Sequence, residues 1–175
     1  LYKFSKKHNI KIASIADLIA HRLKTEKLVF RTFSKIIDLH NVKKIQLSVY
    51  KNKLNHHDSY VFSKGQFRKN KSVAIRVLSK NINKENLLTN NDFKRNIKVL
   101  SKFKNFLLVI INNKINNEKK DTNITLRYYG IGAQIIKDYK VKNMILLSRS
   151  KKKIIGLEGF GLKIKKQIII KWKKY

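Results

Sequence analysis

Cysteine and proline are both absent from this chain of 175 residues. Without cysteine, the chain can form no disulfide bond, no thiolate zinc site and no cysteine nucleophile. Without proline, its turns depend on Gly, Asn, Asp and Ser, which reach turn conformations by other means. Hydrophobic residues still make up 42% of the chain, enough for a packed core, and the length suits one main domain with a short additional segment.

Long apolar runs are also lacking. The longest, residues 106–111 and 168–170, fall far short of the roughly 20 residues that a membrane-spanning helix needs. The N-terminus has no uninterrupted apolar stretch of the kind found in signal peptides. We therefore expect a cytoplasmic protein with no membrane partner.

Acidic residues are scarce: 10 stand against 42 Lys and Arg, and the formal net charge is +32. One interpretation is a nucleic-acid-binding surface, because phosphate groups favour such a charge. The other is compositional drift, since Lys, Ile and Asn have AT-rich codons and the lysines are scattered over every segment. We favour drift, and expect nonspecific binding to nucleic acid in vitro under either interpretation.

The hydrophobic pattern predicts an α/β domain with a mixed sheet flanked by helices. Ser14 and Asp17 have the spacing of a capping box, and Asn91 or Asp92 can cap a later helix. Residues 112–123 show no periodicity and are predicted to form a loop. Strands are predicted at residues 10–15, 42–50, 60–62, 73–77, 106–111, 144–147 and 162–172. Helices are predicted to end near residue 8, to span residues 15–23, 91–103 and 130–139, and to begin within residues 151–156.

The order of these elements predicts the arrangement of the sheet. From residue 92 onward helices and strands alternate, which indicates parallel strands joined by helical crossovers. The earlier strands are expected to form a meander beside this parallel part. Gly130 and Gly132 are expected to permit a close backbone approach at a helix start, and Gly159 and Gly161 to end a helix.

Two segments in the second half of the chain carry a specific resemblance. Residues 126–136 read Leu-Arg-Tyr-Tyr-Gly-Ile-Gly-Ala-Gln-Ile-Ile, and residues 156–161 read Gly-Leu-Glu-Gly-Phe-Gly. They resemble the Leu-Arg-Asp-Tyr-Gly-Ile-Gly-Ala-Gln-Ile-Leu and Gly-Leu-Glu-Gly-Tyr-Gly blocks of GTP cyclohydrolase II. The resemblance implies the fold of that family and a role in riboflavin biosynthesis.

The N-terminal segment carries a second resemblance. Residues 4–29 are similar to the C-terminal end of 3,4-dihydroxy-2-butanone 4-phosphate synthase, which many bacteria fuse upstream of the cyclohydrolase. The expected division is a synthase-like tail over residues 1–31 and a degenerate cyclohydrolase II-like domain over residues 32–175. Because the chain starts at Leu1 rather than Met, we expect it to be truncated.

The family reaction opens the guanine ring of GTP and releases formate and pyrophosphate, using a water activated by zinc on three thiolates. Residues 76–81 read Arg-Val-Leu-Ser-Lys-Asn where the family reads Arg-Val-His-Ser-Glu-Cys. The resemblance therefore places the lost cysteines at Asn81, Asn91 and Phe93, none of which replaces a thiolate. The adjacent His56 and His57 are interpreted as loop histidines rather than a substitute site. We expect no zinc and no other cofactor.

The resemblance leaves some nucleotide-binding positions in place. The residues that correspond to nucleotide-binding residues of the family are Arg76, Val77, Ser79, Ser148 and Lys153.

Arg127 matches the family arginine that attacks the α-phosphate, whereas the acid-base aspartate falls on Thr125. The family's Gln-Glu-Gly-Arg segment and the long helix after it have no counterpart. Residual binding of GTP or phosphate is one interpretation of Arg127 and Lys153, and ordinary surface charge is the other.

Together these features predict an inactive cyclohydrolase-like domain, kept as a structural or accessory part of the synthase. The expected partners are a second copy of the chain or the synthase domain. A basic module that binds nucleic acid and a metal-free nucleotide phosphohydrolase using Arg127 are the alternatives.

Overall fold

A seven-stranded mixed sheet organises the chain in the computed structural model, which describes residues 1–14, 17–18, 21–22, 25–39, 42–53, 57–68, 71–81, 85–112, 122–151 and 157–171. The strands are β1 (Val29–Leu39), β2 (Val42–Asn52), β3 (Asp58–Lys64), β4 (Val73–Lys80), β5 (Phe106–Asn112), β6 (Asn143–Ser148) and β7 (Lys163–Ile169). The helices are α1 (Tyr2–His8), α2 (Asn91–Leu100) and α3 (Thr122–Asp138), with a 3-10 turn at Leu157–Phe160.

The strand order is β1-β2-β3-β5-β4-β6-β7. The strands β1, β2 and β3 form an antiparallel meander, and β3 pairs with β5 in antiparallel fashion. The strand β4 pairs in parallel with β5 on one side and with β6 on the other, and β6 pairs in parallel with β7. The mixed sheet is confirmed, but the predicted position of β4 in the meander is wrong: β4 lies inside the parallel half.

Each face of the sheet is covered by a helix, and a hydrophobic cluster lies between the sheet and the helix on each face. Along β5, Phe106, Leu108 and Ile110 belong to the cluster packed on α2, whereas the alternating residues Leu107 and Val109 belong to the cluster packed on α3. Every residue of β5 is buried. A continuous apolar strand of this kind is expected where helices cover both faces, so the prediction from residues 106–111 is confirmed.

The helices differ from the predictions chiefly at their ends. The N-cap of α2 is Asn90, whose Oδ1 accepts hydrogen bonds from the backbone N–H groups of Asp92 and Phe93 at 2.8 and 3.4 Å. This helix ends at Leu100, three residues before the predicted end. The helix α3 begins at Thr122, eight residues before the predicted start, so Gly130 and Gly132 lie inside it rather than at its beginning.

The N-terminal predictions are partly confirmed. The capping box forms: Asp17 N–H donates to Ser14 Oγ at 3.1 Å, and Ser14 N–H donates to Asp17 Oδ2 at 3.1 Å. The strand predicted at residues 10–15 is wrong, because described residues 10–14 adopt neither helix nor strand. Much of the helix predicted at 15–23, most of the loop at 112–123 and nearly all of residues 151–156 lie outside the described residues. No helix in the described part of the chain has the length and apolar character to traverse a bilayer.

The strand β1 is absent from the sequence predictions, and a polar cluster fastens it to the end of α3. Tyr50 Oη donates to Asp138 Oδ2 at 2.6 Å, and Arg31 reaches the same oxygen at 2.9 Å. Arg31 Nε also donates to Tyr50 Oη at 2.9 Å, and its guanidinium lies 4.7 Å from the centre of the Tyr139 ring. Burial and the hydrogen bond to Asp138 raise the pKa of Tyr50 far above its ordinary value, so the phenol stays protonated.

Replacing Asp138 by alanine tests this cluster. The change removes the acceptor shared by Tyr50 and Arg31, and we expect the free energy of unfolding to fall by about 1–3 kcal/mol, the usual cost of leaving such groups unpaired. Urea unfolding measures it. Lys137→Ala, at an exposed position one residue earlier, is the control and should change stability by less than about 0.5 kcal/mol. Equal stability of the two variants would show that the cluster contributes nothing.

Candidate functional site

The connections on either side of β4 diverge and open a crevice at its carboxyl end. The chain leaves β4 through α2 to reach β5 on one side, then passes through α3 to reach β6 on the other side. The two helices pack on opposite faces of the sheet. In open α/β sheets such a switch point is where ligands bind.

A cavity of about 310 Å³ lies at this switch point. Its walls come from the ends of β4 and β6, from the middle of α3, and from Leu157 in the 3-10 turn. The lining residues are Arg76, Val77, Leu78, Ser79, Gly132, Ala133, Ile136, Met144, Leu146, Leu147, Ser148, Arg149, Ser150 and Leu157. The structure thus brings together four of the predicted nucleotide-binding residues: Arg76, Val77, Ser79 and Ser148.

Arg76 is a buried cation, with only 5% of its surface exposed. Its Nε donates to Asn96 Oδ1 at 3.1 Å, and its Nη1 donates to the Leu147 carbonyl at 3.0 Å. Among the described residues, no carboxylate lies within ion-pair distance of it, and Nη2 has no hydrogen-bond partner. Burial lowers the pKa of Arg76, and the nearby charge of Arg149 lowers it further. The remaining N–H groups can therefore serve an anion in the cavity.

The other cations at this edge converge on one carboxylate. Asp92, in the first turn of α2, lies 3.7 Å from Lys80 Nζ and 3.6 Å from Arg149 Nη2. With Arg76, these side chains place three positive charges around one negative charge. Sequence reasoning missed Arg149, although it directly follows Ser148 at a strand end beside the switch point. Position at the carboxyl end of a parallel strand is the signal that could have found it.

The remaining predicted residues of the cavity play different parts. Ser148 is buried; its hydroxyl donates to the Ser150 carbonyl at 2.7 Å and accepts from Gln167 Nε2 at 2.8 Å. Ser79 is exposed, and its hydroxyl has no partner among the described residues. Val77 is half-buried and forms part of the apolar wall. Ser79 is therefore better placed than Ser148 to meet a ligand.

Other predicted residues lie where the structure gives no side-chain description. Arg127 and Thr125 belong to α3, on the N-terminal side of the turn that lines the cavity. Their side chains are outside the described set. Lys153 and His56 lie wholly outside the described residues, whereas His57 is half-buried just before β3. The roles predicted for Arg127 and Lys153 stay predictions.

The positions that the resemblance assigns to zinc-binding cysteines do not fit a metal. Asn81 and Asn91 are exposed, whereas Phe93 is buried, with its ring 4.7 Å from that of Phe62 in an edge-on contact. Among the described residues, no three His, Cys, Asp or Glu side chains are grouped as a metal site would need. Amide and phenyl groups cannot replace the Cys and His ligands of zinc, so these residues do not fit the ion that the resemblance implies.

Gly132 lines the cavity and has room for a side chain. A Cβ atom added there would meet Val77 Cγ1 at 3.5 Å and Ile111 Cδ1 at 3.6 Å, which are ordinary van der Waals distances. Gly132 is therefore not required by a close backbone approach, and neither Gly130 nor Gly132 lies at a helix start; a close approach at Gly130 stays a prediction.

Alanine substitution of two glycines tests this conclusion. Gly132→Ala should stabilise the protein by about 0.5–1 kcal/mol, because alanine favours a helix and the space is free. Gly161 is the contrast, since it has open space around it but a φ of +72°. Gly161→Ala should cost about 1 kcal/mol through the left-handed backbone. Urea unfolding of both variants measures the change in the free energy of unfolding, which should rise for Gly132→Ala and fall for Gly161→Ala. Destabilisation by Gly132→Ala would mean that the position is tighter than the distances indicate.

Comparisons with known proteins support the family resemblance found in the sequence. The family model of GTP cyclohydrolase II matches residues 86–169. The chain is similar to riboflavin biosynthesis protein RibBA from Aquifex aeolicus, with 32% identity over 207 positions, covering 98% of this chain and 49% of that protein. It is also similar to a 3,4-dihydroxy-2-butanone 4-phosphate synthase from Campylobacter jejuni, with 30% identity over 166 positions, covering 93% of this chain and 46% of that protein.

A solved structure gives the same answer for the fold. RibBX from A. baumannii, described as a two-domain 3,4-dihydroxy-2-butanone 4-phosphate synthase, superimposes with a TM-score of 0.71 at 26% identity. The match covers 97% of this chain and 48% of that one. The chain therefore spans about half the length of the relatives it matches.

The two sequence alignments differ in length. The alignment with RibBA extends over 207 positions although this chain has only 175 residues, so that relative contains residues that this chain lacks. The alignment with the Campylobacter jejuni synthase covers 93% of the chain in 166 positions, which leaves room for few gaps. Over the aligned region, the second relative therefore has few residues that this chain lacks.

Proposed function

Because this chain belongs to the GTP cyclohydrolase II family of riboflavin-biosynthesis proteins, we propose that it is a form of that domain without ring-opening activity. In this proposal it serves as a structural or accessory domain of 3,4-dihydroxy-2-butanone 4-phosphate synthase. The observation that carries the proposal is the replacement of all three zinc-ligand positions by Asn81, Asn91 and Phe93, one of which packs in the core.

Electrostatics supports the loss of the metal. A zinc ion needs anionic or neutral nitrogen and sulfur ligands, whereas this edge of the sheet carries Lys80, Arg76 and Arg149 around Asp92 alone. A further double positive charge would be repelled by the three cations. The ion pair of Lys80 with Asp92 links the end of β4 to the start of α2 without a metal.

Alignment length supports the accessory role. The Campylobacter jejuni relative, whose name gives only the synthase activity, aligns with few gaps, whereas the RibBA relative has additional residues. The Gln-Glu-Gly-Arg segment and its long helix, for which the sequence offers no counterpart, are the expected source of that difference. A domain without this segment and helix would lack groups that hold the guanine base.

A ring-opening assay tests the absence of catalysis. Purified chain is incubated with GTP and added zinc, while formate release and protein-bound zinc are both quantified. We expect no formate above the protein-free background and no stoichiometric zinc, because the thiolates are absent. An active GTP cyclohydrolase II assayed in parallel shows that the conditions support the reaction. Formate production in proportion to bound zinc would contradict the proposal.

We further propose that the cavity retains phosphate binding. Arg76 supports this, since it has no contacting carboxylate among the described residues, and a buried guanidinium of that kind is costly unless an anion completes its environment. Arg149 lies at the rim of the same cavity and is exposed, so it can reach a ligand without disturbing the core. Ser79 adds a hydroxyl that has no partner in the part of the chain that the structure describes.

Thermal unfolding with inorganic phosphate tests this second proposal. Phosphate should raise the Tm relative to chloride at equal ionic strength, because a ligand that binds only the folded state stabilises it. Arg149→Ala should reduce the shift, whereas Arg68→Ala, next to a separate depression beside Asn105, should leave it unchanged. Equal shifts in all three proteins would mean that phosphate acts through general charge screening and that the cavity holds no anion.

A further inference from the structure

The side-chain amide of Gln134 pairs with the backbone on both sides of Lys27. Gln134 Nε2 donates to the Glu26 carbonyl at 2.8 Å, and the Leu28 N–H donates to Gln134 Oε1 at 2.9 Å. These two bonds reproduce the pairing that a neighbouring strand would offer to an extended segment. A side chain of α3 therefore holds the segment that leads into the sheet.

Contacts on either side extend this attachment. Leu28 and Val29 are buried, and the Leu28 carbonyl accepts from Lys53 N–H at 2.9 Å. One helical turn beyond Gln134, Asp138 binds Arg31 at 2.9 Å. Residues 26–31 are thus fixed along one turn of α3.

The described residues on the N-terminal side of this attachment are largely exposed. The helix α1 contains no buried residue, and its Tyr2 and Phe4 are 81% and 59% exposed. This is the segment whose sequence resembles the C-terminal end of the synthase. The attachment at residues 26–31 is therefore where the described domain sets the position of the synthase-like segment.

The same helix turn also faces the cavity. Ala133 and Ile136 line the cavity, whereas Gln134, between them in the chain, faces residues 26–28. We propose that Gln134 is the positioning residue that fixes the synthase-like segment to α3, so that this domain can support the synthase only while that attachment holds. The inference rests on the accessory role proposed above.

Limited trypsin digestion tests the attachment. The Lys27–Leu28 peptide bond lies between the two hydrogen bonds of Gln134, and Lys27 itself is exposed. Gln134→Met keeps the side-chain size but removes both bonds. We expect cleavage after Lys27 to accelerate on the order of tenfold to thirtyfold, because the two hydrogen bonds no longer oppose local opening.

Two controls make the result specific. Gln66→Met is the same substitution in the loop after β3, where Gln66 Oε1 accepts from Arg68, and it should leave cleavage after Lys27 unchanged. Cleavage after the buried Arg76 reports global unfolding and should stay far slower than cleavage after Lys27 in all three proteins, so that cleavage after Lys27 reports local opening. Unchanged cleavage after Lys27 in Gln134→Met would overturn the inference.

Synthase activity separates this inference from the proposed function. The activity is measured for the synthase that carries or binds this domain, with wild-type chain, Gln134→Met and Gln66→Met. We expect a several-fold fall with Gln134→Met alone. Faster cleavage with unchanged synthase activity would overturn the positioning role, although the attachment itself would stand. Formate release from GTP, in contrast, would overturn the proposed function and leave the trypsin result as it is.

Discussion

The parallel pairing of β4 with β5 and β6 is the constraint on which the rest of the structure depends. Because β4 has a parallel neighbour on each side, the chain must cross over twice, once through α2 and once through α3. Each crossover covers one face of the sheet, which is why β5 is buried along its whole length. The first crossover leads from β4 to β5 and the second from β5 to β6, on opposite sides of β4, and the cavity lies at the carboxyl end of β4 between them.

Sequence periodicity predicted the elements that are buried on one or both faces. The run at 106–111 and the helical spacing before it are strong signals, since burial imposes them. The strand β1 gave no such signal because most of its side chains are exposed, and a polar cluster centred on Asp138 holds its start instead. The position of β4 between β5 and β6 could not be predicted either, because a strand's own sequence does not specify its neighbours.

The residues of the candidate site also divide into those that the sequence could predict and those that it could not. Val77, Ser79 and Ser148 could be identified because each lies in a recognisable block, and the fold brings these blocks together. The partners of Arg76 could not be predicted: Asn96 lies 20 positions away on α2, and the Leu147 carbonyl belongs to another strand. Arg149 stood outside the prediction for a similar reason, since its role depends on Asp92 across the crevice.

The charge of this crevice is the reverse of what a thiolate zinc site requires. Three thiolates attract a metal cation, whereas Lys80, Arg76 and Arg149 with one carboxylate attract an anion. The formal charge of +32 does not explain this, because scattered surface lysines would leave a buried arginine no better neutralised. Arg76 is held by Asn96 and Leu147 from two different elements, so its charge cannot turn away to solvent. The crevice must therefore tolerate that charge or neutralise it. The anion proposed at the open side of Arg76 would use the cavity, the exposed Arg149 and the hydroxyl of Ser79, which has no partner among the described residues, together.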